Sequence, residues 1–188
     1  MAFIRKNVKP KLLVSSDVSG ESSSAETFTV AQLLELAKRK GVEISPLDVK
    51  KLLAVLGVEL LSVPMKDEVS GVLSRLDNGE GWVVKVNALH HPNRQRFTIA
   101  HEIGHYCRHR WQQSEFQDQN FFRNGDSNPM EAEANRFASE LLMPEQMFKE
   151  KVRLFTGSIE AIAQYFKVST LAVRVRAKNL GMKGHGLE

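Results

Sequence analysis

Residues 101–105 read His-Glu-Ile-Gly-His, and no other run constrains this chain as strongly. In a helix, positions i and i+4 share a face, so His101 and His105 can hold one metal ion together. The segment around them therefore has to be a helix with one side on a core and the other on a cleft. Glu102 would stand beside a metal-bound water as general base.

The helical phase agrees. Advancing about 100° per residue from Phe97, the residues Ile99, Ala100, Ile103, Gly104, Tyr106 and Cys107 fall in one arc, and His101, Glu102, His105 and His109 fall in another. The helix is predicted from about Arg94 to Arg110. The bland alternative is a solvated face that happens to spell the motif. Gly104 counts against it, because a mid-helix glycine costs about 1 kcal/mol and close approach of another backbone would explain it.

Two histidines need a third ligand. A metzincin would carry glycine at 108 and histidine at 111; Arg108 and Trp111 stand there, so that class is excluded. His109 lies on the same stripe, but its Cα is about 12 Å along the axis from that of His101. It reads as a cleft-lining or substrate-side residue, or simply an exposed histidine. A second helix opens at Asn128-Pro129 and runs to about Met143. Its apolar arc holds Ala134, Phe137, Ala138, Leu141 and Leu142; Glu131 and Asn135 lie on or beside that arc, and Glu133, Arg136 and Glu140 lie opposite, where solvent is expected. A carboxylate on an apolar face needs a partner, and zinc would be one. Asn135, one turn on, could orient a ligand imidazole through its second nitrogen. Glu131 reads equally well as the N3 residue of a capping box behind Asn128. Glu133 is the fallback ligand if the helix is rotated. Two histidines and a carboxylate suit one zinc ion best, though manganese or iron could occupy the same set. Tyr106, His109 and Tyr165 are the available oxyanion or substrate contacts.

The rest of the chain supports an α+β reading. Val30, Leu33, Leu34 and Ala37 repeat at helical spacing until Gly41, and Ser45-Pro46 looks like the start of a second helix with Val49, Leu52, Leu53 and Leu56 on its apolar face. Short apolar runs at Val58–Val63, Val69–Leu76 and Trp82–Val86, the last two separated by the turn Asp77–Gly81, predict a small, mainly antiparallel sheet. Residues 111–128 are polar and predict a long loop. At least two more helices are expected near 158–166 and 170–179. Residues 1–26 are serine-rich and expected to be a flexible tail. The expected organisation is this tail, a peptidase domain with N-terminal helices over 27–146, and a helical region over 147–188.

Composition narrows the class. One cysteine, Cys107, excludes an internal disulfide framework and fits a reducing cytoplasm. No apolar run approaches a membrane span, and the basic start carries no apolar region that would make it a secretory leader. The net charge of +4 is concentrated at the two ends. Solvated termini explain this, and contact with nucleic acid is the alternative.

The run Arg96–His105, with Glu131-Ala132-Glu133-Ala134-Asn135-Arg136-Phe137-Ala138-Ser139-Glu140-Leu141-Leu142-Met143-Pro144 downstream, resembles the ImmA/IrrE family of bacterial and phage metallopeptidases. Val84–Asn87 and the stretch from Ile162 to Gly181 resemble it too, so the likeness covers about 30–182. It implies zinc ligands at His101, His105 and Glu131, a catalytic base at Glu102, and a gluzincin-type core with a small sheet over paired metal helices. It also implies a protein substrate, commonly a helix-turn-helix repressor encoded nearby. The loop 111–128 is this protein's own.

The expected function is thus a cytoplasmic zinc endopeptidase. A rival reading takes Ile159–Leu180, with Arg174, Arg176 and Lys178 on its second helix, as a helix-turn-helix that binds DNA; the alternative is a helical cap packed on the core. A third reading keeps the zinc without turnover, as a module that docks a repressor.

Overall fold

A computed structural model describes residues 27–119 and 128–182. The serine-rich segment 1–26 lies outside them, as does part of the expected loop 111–128. The order is α1 (Val30–Arg39), α2 (Val49–Val55), β1 (Glu59–Val63), β2 (Val69–Arg75), β3 (Trp82–Asn87), α3 (Pro92–Arg108), β4 (Glu115–Gln119), α4 (Pro129–Leu142), α5 (Glu145–Leu154), α6 (Ile159–Phe166) and α7 (Thr170–Asn179). This is an α+β fold. None of the described helices is long and apolar enough to cross a membrane.

The strands form one sheet in the order β1-β3-β2-β4. β1 runs parallel to β3, and β2 runs antiparallel to both β3 and β4. The sheet is mainly antiparallel, as expected, with one parallel edge. Register aligns Leu60, Val84, Leu73 and Phe116 in a row across all four strands. Because side chains alternate along a strand, Gly71 shares its face with Leu73. That face lies on α3.

Asn87 ties the sheet's end together. Its Oδ1 accepts from the backbone N–H of Met65 (3.2 Å) and Leu89 (3.1 Å), and its Nδ2 donates to the carbonyls of Lys66 (3.1 Å) and Val69 (3.0 Å). One buried amide thus satisfies four backbone groups of the loops that enter β2 and α3.

Two expectations are corrected, and one helix is added to those named. Ser45-Pro46 does not open α2: it lies in a turn closed by the bridge between Ile44 and Leu47, and Asp48 caps the helix by accepting from Lys51 N–H at 3.0 Å. The stretch 111–128 is not all loop, because β4 pairs with β2. A further helix, α5, follows Pro144, and it buries Phe148 and Val152 one turn apart.

The α6–α7 hairpin packs on the core as a cap. Ser169 caps α7 through Ala172 N–H at 3.1 Å, and Val168, Ala172, Val173 and Ala177 are buried. Its turn is gripped from α3, where Arg96 Nε donates to the Phe166 carbonyl and Asn93 Nδ2 to the Val168 carbonyl, each at 3.2 Å. Arg176, named in the rival DNA-binding reading, is only 7% exposed and donates through Nε to the Met143 carbonyl at 2.9 Å. That cation is taken up inside the protein, at the end of α4.

Candidate metal centre

α3 starts where proline sets φ and needs no donor, with the His91 ring accepting from Asn93 N–H at 3.2 Å. It is sandwiched between the sheet and α4, so nearly every residue from Phe97 to Cys107 is buried. α4 opens in the same way: Pro129 holds the first position and Asn128 Oδ1 accepts from Met130 N–H at 3.1 Å. The two helices touch where a side chain is missing. A Cβ on Gly104 would lie 3.3 Å from the Ala134 Cα, the Ala134 carbonyl and the Phe137 Cβ. The close backbone approach expected at this glycine is present.

That contact carries Glu131 onto the two histidines. Its Oε2 lies 3.2 Å from His101 Nε2 and its Oε1 3.3 Å from His105 Nε2, and the two Nε2 atoms are 2.9 Å apart. The carboxylate is spent on the imidazoles, so the capping-box alternative falls. Glu133 points elsewhere. The two carboxylate oxygens thus face one imidazole each, and one donor atom from each of the three residues lies within 4.8 Å of the others, a set of the kind that holds a single zinc ion.

The protons fit a metal as well. His101 Nδ1 is 3.1 Å from Asn135 Oδ1, an acceptor only, so the ring proton sits on Nδ1 and Nε2 offers its lone pair. Burial holds the His105 imidazole below its ordinary value, against the opposing bond from Glu131, so it stays neutral. Burial pushes the Glu131 carboxyl up, but its contacts with the His101 and His105 rings outweigh burial and hold the group well below the usual carboxylate range. A neutral His105 imidazole beside an ionised carboxylate is what a cation requires.

His109 is not the exposed histidine of the plainer expectation. It is 2% exposed, with Nδ1 3.1 Å from His105 Nδ1 and Nε2 3.2 Å from Glu133 Oε2. Glu133, expected in solvent, is half-buried between His109 and Arg108, whose Nε donates to Oε1 at 2.7 Å. Burial raises the Glu133 carboxyl, and the bonds from Arg108 and His109 bring it net below its ordinary value. Phe116 of β4 stacks on His105 at a centroid distance of 4.7 Å. Sequence reading missed this residue, because one phenylalanine in a polar run carries no strand signal.

Glu102 is fully buried on the sheet side of α3. Gly71 makes room for it, because a Cβ there would fall 3.0 Å from Glu102 Oε1 and 2.4 Å from Thr98 Cγ2. The two tyrosines are placed apart from this cluster. Tyr106 packs edge-on to Trp82, with its hydroxyl 3.5 Å from the Leu56 carbonyl. Tyr165 bonds Ser45 and packs on Phe155 and Phe166. Neither hydroxyl reaches the histidines, because both rings are turned into the helical core. Cys107 is fully buried, and burial pushes its thiol up to about 12, so it is inert.

Comparison with known proteins places the chain in a family. The profile of the IrrE N-terminal-like domain, a peptidase family, matches residues 54–178. The chain is similar to metallopeptidase ImmA of Bacillus subtilis, at 30% identity over 116 residues covering 61% of this chain and 66% of that protein. It also resembles a solved Mycobacterium tuberculosis transcriptional regulator, with a TM-score of 0.55 and 15% identity, over 81% of this chain and 46% of that one. This last likeness is one of fold. The chain spans just under two thirds of the first relative and under half of the second.

Proposed function

The chain belongs to the IrrE N-terminal-like domain family of peptidases, and on that premise we propose that it is a cytoplasmic zinc-dependent endopeptidase whose substrate is a protein. The observation that carries this reading is the convergence of His101, His105 and Glu131, with Glu131 Oε2 3.2 Å from His101 Nε2, Oε1 3.3 Å from His105 Nε2, and one donor atom from each residue within 4.8 Å of the others. Its relative's name, metallopeptidase ImmA, supports the same class.

His101, His105 and Glu131 would hold one zinc ion. Bound there, zinc supplies a Lewis acid for the scissile carbonyl and makes water acidic enough to lose a proton near neutral pH. Glu102, adjacent to the first ligand on α3, takes that proton and hands it to the leaving amine. Asn135 holds the His101 ring in the tautomer that leaves Nε2 free. The sheet face over α3 shields the Glu102 carboxyl from bulk water. The proposed substrate is a helix-turn-helix repressor encoded nearby, a reading that rests on the family resemblance. We propose the domain division 1–26, 27–146 and 147–188, with the last region serving as a cap.

The test is incubation with the neighbouring repressor, with and without a chelator, for wild type and Glu102→Gln. Wild type should cleave, chelation should stop it, and Glu102→Gln should keep its zinc while losing about 10²-fold or more in rate. Cleavage by zinc-loaded Glu102→Gln at the wild-type rate would overturn the mechanism. Chelator-sensitive binding without cleavage would support a docking module instead.

A further inference from the structure

His105 is held differently from His101, and the difference has a direction. His105 Nε2 faces Glu131 and His101, so as a ligand it carries no proton, and a neutral imidazole then has its proton on Nδ1. Among the described residues the partner of that Nδ1 is His109 Nδ1 at 3.1 Å, which must accept. His109 therefore bears its own proton on Nε2, 3.2 Å from Glu133 Oε2. A guanidinium can only donate, so Arg108 Nε occupies Glu133 Oε1 at 2.7 Å. Each nitrogen and oxygen has one role, and the chain has one polarity. Running it backwards would put a proton on the ligating nitrogen.

Packing alone does not require an imidazole at position 109. The site is almost wholly enclosed, and an apolar ring there would not need two hydrogen bonds. The chain also ends on a carboxylate that is 36% exposed, while the imidazole it orients is 1% exposed. A carboxylate behind a ligand imidazole fixes the ring and raises its basicity toward a metal.

We propose that Glu133 and His109 are positioning residues that act in series on His105 and set the protein's zinc affinity from a group near its surface. This rests on the reading of His101, His105 and Glu131 as the ligands. His109 is too far along the helix to share the ion, and it acts one residue removed from it.

The experiment is zinc affinity of the full chain by competition with a chromophoric chelator, for wild type, His109→Phe, Glu133→Gln and the double variant. Phenylalanine keeps the ring contact with Phe116, and glutamine changes only charge and donor pattern at a half-exposed site. Each single variant should bind zinc about 10- to 100-fold more weakly. The double variant should be no weaker than His109→Phe, because Glu133 acts only through His109. In zinc-loaded wild type, nitrogen NMR should place the His105 proton on Nδ1. Single variants that bind within twofold of wild type, with unchanged circular dichroism, would overturn the inference. So would losses that multiply in the double variant. If His109→Phe does not fold, Glu133→Gln alone decides by the same criterion. Wild type that takes up no zinc would overturn the ligand reading, and this inference with it.

Discussion

Asn135 accepts from His101 Nδ1 at 3.1 Å, and it stands one helical turn beyond Glu131 on the same helix. One face of α4 therefore supplies one proposed ligand and also aims a second proposed ligand that belongs to α3. The Asn135 side-chain oxygen thus helps to set the orientation of His101. Removing that oxygen in Asn135→Ala should weaken zinc binding about 10-fold or more, while Asn135→Asp should bind at least as well as wild type, since a carboxylate can take the same bond. Chelator competition reads both. Equal affinities for wild type and Asn135→Ala would remove Asn135 from the site.

Gly71 has to stay small. An added Cβ meets Thr98 Cγ2 at 2.4 Å, Glu102 Oε1 at 3.0 Å and the Lys85 carbonyl at 3.2 Å, and the last of these is backbone that cannot turn aside. Gly71→Ala should cost about 1–3 kcal/mol by overpacking. It should also slow hydrolysis without loss of zinc, because the displaced group is Glu102 and not a ligand. Urea unfolding, metal content and turnover measured together check this. Loss of zinc in parallel with activity would mean that α3 had moved as a whole.

Acid should destabilise the protein, and the sign follows from the imidazoles. Burial lowers both His105 and His109 from the ordinary value of 6.5. As the pH falls below about 6.5, the unfolded chain takes up protons that the folded protein refuses, so stability is complete above that pH and declines below it. Glu131 and Glu133, held net below 4.5, lose their stabilising charge at lower pH and add to the same trend. The urea midpoint of chelator-treated protein should drop between about pH 7.5 and 5.5, and less steeply in His109→Phe. A midpoint that is flat or rises on acidification would contradict the buried neutral imidazoles.

Arg176 tests the role of the last two helices. Arg176→Leu removes the bond to the Met143 carbonyl and should cost about 1.5–3 kcal/mol, as expected for a charged donor. Arg174→Ala and Lys178→Ala, both at exposed positions, should change stability by less than about 0.5 kcal/mol. Wild type should show no salt-dependent retention by duplex DNA. A steep salt dependence that vanishes with Arg174 and Lys178 would restore the DNA-binding reading.

The two metal helices were legible because their signals are local. Asn128-Pro129 marks a helix start, and the apolar arc of α4 brings Glu131 inward whatever it packs on. β4 was not legible: Glu115–Gln119 has one apolar residue, and Phe116 is buried only because His105 lies under it. α5 hid for a related reason. Pro144 gives it no side-chain cap, and its ten residues bury only Phe148 and Val152. His109 and Glu133 were misplaced by arguments that treated each helix alone. The phase of α4 does set Glu133 away from the core, but the last turn of α3 lies on that side and fills the space with Arg108 and His109. Which helix covers which face is a tertiary fact, and neither wheel contains it.

The contact at Gly104 links two stretches of chain thirty residues apart. Because a Cβ there would press on backbone as well as on Phe137, the residue types allowed at positions 104, 134 and 137 are not independent. A homologue with alanine at the place of Gly104 has to carry a smaller residue opposite or let its helices stand a few tenths of an ångström farther apart. In the second case its glutamate must reach farther to meet the histidines. Covariation between these positions, and ligand distances that lengthen where it fails, would be the evolutionary record of a spacing set by one missing methyl group.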